Sequence, residues 1–150
     1  MTSPTPDELE HAAATGTLLS VWARHEPDTA AIDSVHGDRT FAQLDAEANR
    51  LARTMRRRGL GAGTHVALVC GNRPEFAATM FACLRVGAVY TPVNWHLTPD
   101  EVALILRDSG AQVVVGDARW ADTVASATAL APQVELRVAV GGSIDGFTNW

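Results

Sequence analysis

Apolar positions along this chain recur at two different spacings, and the alternation between them predicts an α/β fold built on a mostly parallel sheet. Residues 1–16, with Pro4, Pro6 and several Thr and Ala, read as a flexible lead-in. Leu18, Leu19, Val21 and Trp22 fit a short helix that stops near Pro27. Ala30 to Val35 reads as a strand, with a turn at His36-Gly37-Asp38. A longer helix follows. Thr40 is its N-cap and Gln43 closes a capping box. Phe41, Leu44, Ala48, Leu51 and Met55 then fall at intervals of three and four to give one apolar stripe. Gly59 ends the helix, and Arg56-Arg57-Arg58 suits the negative end of its dipole.

Beyond that point the pattern repeats. His65 to Cys70 is a buried type of strand, and Asn72 with Glu75 predicts a second capping box around Pro74. The helix it opens runs to about Val86. Its segment Phe76 to Leu84 is apolar almost all round and needs cover on more than one side. Ala88 to Val93 is the next strand, followed by the loop Asn94-Trp95-His96-Leu97. Thr98, Pro99 and Glu101 give three agreeing signals for a helix start. Val102, Ile105 and Leu106 form its inward face and Gly110 ends it. Gln112 to Val115 reads as a strand, Trp120 to Leu130 as a helix and Leu136 to Val140 as a last strand. No element is predicted from Gly141 to Trp150.

Composition narrows the chemistry. The 150 residues are close to half apolar, enough for an ordinary core, and the net charge of −5 comes from scattered acids rather than a patch. No nucleic-acid partner is implied. All twelve basic residues are Arg, so no lysine of this chain can contact a phosphate or form a Schiff base. The five His are far apart in sequence and suggest no metal site. The N-terminus lacks the basic and apolar regions of a secretory signal, and Val86 to Pro99 is too short and polar to span a bilayer. Cys70 and Cys83 read as reduced thiols, and the expected location is the cytoplasm.

Three segments are candidates for chemistry. Gly59-Leu60-Gly61-Ala62-Gly63 lies between a helix and the following strand, whereas a dinucleotide loop runs from strand to helix, so it is a turn. This also removes a small Rossmann-type nucleotide binder from consideration. Cys70-Gly71-Asn72-Arg73 has the right strand-to-helix placement for a reactive thiol but no adjacent base; the alternative is a small apolar residue at a strand end. Trp95-His96 lies beyond a parallel strand, where α/β sheets bind ligands. Its alternative is packing of Trp95 on a neighbouring helix and a local backbone bond for His96.

Taken in order, these signals carry a resemblance. Thr40-Phe41 with Leu44, Asn49 and Leu51, then Gly59-Leu60, Gly63, His65-Val66-Ala67, Asn72, Glu75-Phe76 and Gly87-Ala88-Val89 resemble the opening region of acyl-CoA synthetases. These belong to the AMP-binding, adenylate-forming enzymes. The run Pro92-Val93-Asn94-Trp95-His96-Leu97 with Glu101 is similar to fatty-acid and other acyl-CoA ligases. The resemblance implies that residues 17–150 are the N-terminal α/β part of the large AMP-binding domain, truncated before the ATP-binding motifs. It implies a parent enzyme that uses ATP, Mg and CoA, activates a carboxylic acid as its adenylate, and passes the acyl group to a thiol. The partner of this segment would be the remainder of the ligase. By the same resemblance Asn94, Trp95 and His96 border the CoA pantetheine tunnel, no catalytic residue is present, and the segment alone is inactive and holds no cofactor strongly. The competing expectation is a non-catalytic α/β interaction module or pseudo-enzyme that docks with a partner subunit through the helix Phe76 to Leu84.

Overall fold

The uninterrupted apolar runs around Val66, Val114 and Val138 become neighbouring parallel strands, as strands buried on both faces require. The computed structural model describes residues 3–150. The chain divides into two compact units, Met1–Ala62 with Arg73–Gly87, and Gly63–Asn72 with Ala88–Trp150.

The first unit holds α1 (Pro6–Ala14), α2 (Leu18–His25), β1 (Ala30–Ile32), β2 (Arg39–Thr40), α3 (Phe41–Arg57) and α4 (Pro74–Val86). The lead-in reading of residues 1–16 is corrected by α1; Met1 and Thr2 lie outside the described residues. The helix forms because Thr5 accepts the Glu8 amide, Pro6 fills the first turn, and Asp7 and Glu8 face the positive end of the dipole. Glu8 then bonds Arg24 at 2.8 Å and His25 at 3.1 Å, which ties α1 to α2. The strand expected over Ala30 to Val35 stops at Ile32 and pairs antiparallel with β2 in a separate hairpin. In α3 the capping box of Thr40 and Gln43 is present in both directions, and Leu44, Ala48, Leu51 and Met55 are buried.

The capping box expected from Asn72 and Glu75 does not form. Arg73 is the N-cap of α4 and makes no side-chain cap bond, because Pro74 occupies the first helical position and leaves Asn72 one residue too early. Glu75 instead takes the Arg73 guanidinium at 3.2 and 3.4 Å. Helix α4 packs on α3. It buries Ala78, Thr79, Ala82, Cys83 and Val86, while Phe76, Met80 and Phe81 stay half-buried and Leu84 is 48% exposed. Gly87 ends it with φ of 72°, a left-handed conformation that only glycine takes without strain.

The second unit is a five-stranded, wholly parallel sheet in the order β4-β3-β5-β6-β7, formed by β3 (His65–Val69), β4 (Val89–Pro92), β5 (Val113–Asp117), β6 (Leu136–Val140) and β7 (Thr148–Asn149). Pro92 is tolerated because β4 is an edge strand. Helix α5 (Pro99–Asp108) opens with the expected box of Thr98 and Glu101, and α6 (Ala121–Ala129) packs beside it. Val102, Leu106, Val124 and Ala127 meet Val69 and Val114 in one apolar core. Two boundaries differ from expectation. The helix expected from Trp120 begins as a 3₁₀ turn, Ala118–Trp120, capped by Asp117. The tail from Gly141, expected to lack an element, supplies β7, whose two residues pair with β6 and leave no periodic trace in sequence. Among the described residues no helix is long and apolar enough to cross a membrane.

Candidate functional site at the carboxyl ends of the strands

Strand β3 has β4 on one side and β5 on the other, although β4 and β5 follow it consecutively in the chain. The winding therefore reverses at β3, and ligands of open α/β sheets bind outside the carboxyl ends at such a reversal. The register places Leu68 beside Pro92 and Val69 beside Gly116. The residues that follow, Cys70-Gly71, Asn94-Trp95-His96 and Asp117-Ala118-Arg119-Trp120, thus leave the sheet on the same edge.

These loops meet through their side chains. The Trp95 indole stacks on that of Trp120, with centroids 4.3 Å apart and planes 18° from parallel. The His96 ring stands edge-on to Trp95. The Arg119 guanidinium lies 4.5 Å from the Trp120 ring centroid. Asp117 is fully buried, and its carboxylate accepts the Arg119 backbone N–H at 3.0 Å, Nε at 3.1 Å and Nη2 at 2.8 Å. This charge-assisted fork raises the Arg119 pKa and fixes a side chain that is still 43% exposed. Gly71 is the floor under it. A Cβ there would run into the guanidinium and come within 3.2 Å of the Trp120 ring.

Of the sequence-predicted site residues, Asn94 shapes the loop: its Oδ1 accepts the His96 amide at 3.0 Å. Trp95 sits on another strand-end aromatic rather than over a neighbouring helix alone, and His96 is exposed. Sequence reasoning missed Asp117, Arg119 and Trp120. Their signal was a second tryptophan just past a second parallel strand, hidden because Trp120 also reads as a helix start. Cys70 is buried at the end of β3, and its Sγ–H donates to the Gly71 carbonyl. Among the described residues no group of three His, Cys, Asp or Glu could hold a metal ion.

Comparison with known proteins identifies the family and the fold. The model of the AMP-binding enzyme family matches residues 19–146. A fatty acid–[acyl-carrier-protein] ligase, ScoC, of Streptomyces coeruleorubidus is 35% identical over 131 residues, covering 87% of this chain and 24% of the relative. A feruloyl-CoA synthase of an Amycolatopsis species is 38% identical over 119 residues, again 24% of its length. The N-terminal domain of FACL13 from Mycobacterium tuberculosis superposes with a TM-score of 0.72 at 33% identity, covering 80% of this chain and 31% of that one. The chain thus spans about a quarter of the length of these curated relatives.

Proposed function

The chain belongs to the AMP-binding enzyme family, and on that premise we propose that it is the N-terminal part of an ATP-dependent acid–thiol ligase. Such an enzyme joins a carboxylic acid to the α-phosphate of ATP, with Mg as the counter-ion, releases pyrophosphate, and then transfers the acyl group to CoA. The observation that carries the reading is the family match from residue 19 to residue 146. The chain contains no lysine, so any lysine contact to the transferring phosphorus is not supplied by these residues. On this reading they are scaffold and the edge of one ligand channel, the acid pocket and the phosphate loop lie with the remainder of the ligase, and the 150 residues alone turn over no ATP.

The loop Asn94, Trp95 and His96 is assigned to the side where the thiol enters. Three features support this: its place at the carboxyl edge beside the winding reversal, its aromatic lining, and the fixed guanidinium of Arg119 close by. The Arg119 side chain, held by Asp117, is still 43% exposed, and its guanidinium suits a phosphate group of CoA. The test uses the longer enzyme that carries this segment. Trp95→Ala should slow thioester formation while acid-dependent pyrophosphate release is retained. Equal loss in both half-reactions, or in neither, would reject the assignment. The 150-residue chain given ATP, Mg, CoA and a carboxylic acid should release no AMP.

A further inference from the structure

We propose that Asp117 is a positioning residue for the thiol-side loop, acting through Arg119 and Trp120 to hold Trp95 in its stacked place. The inference rests on the assignment of that loop made above. The path runs from Asp117 to Arg119, from Arg119 to Trp120 and from Trp120 to Trp95.

The relay starts from a burial problem. A fully buried carboxylate at the end of a strand must be compensated by donors. Asp117 obtains them from the residue two positions on, through one backbone N–H and two guanidinium nitrogens. An arginine left free at this exposed turn would sample many rotamers. The fork leaves it essentially one, and Gly71 provides the space that this one requires. The guanidinium so fixed packs on the Trp120 indole, and Trp120 in turn receives Trp95. Each aromatic contact is weak by itself, so a loop indole 37% exposed needs a partner that does not move. Trp120 has its inner side against the apolar core and is covered by Arg119, which Asp117 fixes. With Trp95 parked on the β5 side, the loop presents His96 and its backbone to an entering ligand in a preset conformation.

The decisive measurement is the NMR spectrum of the 150-residue chain, which has four indole groups. Trp95→Phe assigns the Trp95 indole signals, and stacking on Trp120 should shift them strongly upfield by ring current. Asp117→Asn should return them to free-indole positions while the amide spectrum of the sheet persists. Because a buried substitution can unfold the chain, Arg119→Gln at the exposed end of the relay is the second variant and should give the same loss. The double variant should be no worse than Arg119→Gln alone, since both changes break one path. Unchanged Trp95 shifts in Arg119→Gln, or additive losses in the double variant, would overturn the proposal. The loop assignment fails separately: Trp95 shifts lost in Arg119→Gln with thioester formation unchanged in the longer enzyme would leave the relay standing and remove its connection to the thiol.

Discussion

Arg85 of α4 places Nη2 2.6 Å from Oδ1 of Asp45 on α3, with its own side chain only 4% exposed. Asp45 also accepts Ser20 Oγ–H from α2 at 2.6 Å and the Asn49 amide at 2.8 Å, so one carboxylate joins three helices of the first unit. Burial lowers the Arg85 pKa, and the carboxylate opposes that change. Asp45→Asn leaves the guanidinium buried without its counter-charge and should cost about 3 kcal/mol in chemical denaturation. Ser20→Ala removes a single bond to a charged group and should cost about 1.5 kcal/mol. A loss under about 1 kcal/mol for Asp45→Asn, the value of an exposed pair, would show that water enters the cluster.

Helix α4 leaves Leu84 48% exposed and Phe76, Met80 and Phe81 half-buried beside it, an apolar stripe that further protein could cover. The 150-residue chain should therefore bind a hydrophobic dye and self-associate, and Leu84→Gln should reduce both. Light scattering at rising concentration is the check. A monomeric wild-type chain with no dye binding would mean that the stripe is covered without further protein.

The two thiols should be silent in the native chain. Burial pushes the Cys83 thiol up to about 12, so it stays protonated at any ordinary pH, and Cys70 is enclosed at the end of β3. Alkylation at pH 8 should modify neither until denaturant is added. Fast modification of Cys70 under native conditions would reopen its reading as a nucleophile.

Acid should loosen two helix starts. Bonds from the Thr98 backbone and hydroxyl hold Glu101 below the ordinary glutamate value of 4.5. The Arg24 guanidinium and His25 hold Glu8 below it as well. A carboxyl whose folded pKa is depressed contributes stability above the unfolded value, and that contribution is lost as pH falls through the folded one. Stability should thus decline below about pH 4.5. Glu101→Gln keeps a capping acceptor but cannot titrate, so its decline over that range should be shallower. Identical acid slopes for the two chains would refute the cap's part in the transition.

Features fixed by neighbours in the chain were legible before the fold was seen. Thr40 with Gln43 and Thr98 with Glu101 form their boxes because both partners lie within one helical turn, so three residues of context suffice. The same logic placed the α3 stripe, the end at Gly59 and the parallel strands. It misjudged Asn72, where proline geometry shifted the cap by one residue, and it overlooked α1, whose Glu8 is tied to residues 16 and 17 positions away.

The candidate site divides along the same line. Sequence alone determined that Asn94, Trp95 and His96 form a loop past a strand, since Pro92 and the Thr98 start bracket it. Only the tertiary structure decided that Trp95 meets Trp120, that Arg119 crosses Gly71, and that β7 exists. Those contacts depend on the order β4-β3-β5-β6-β7 and on registers such as Val69 with Gly116. Strand order is set by packing energy summed over the whole sheet, and no local pattern encodes which two strand ends will stand side by side.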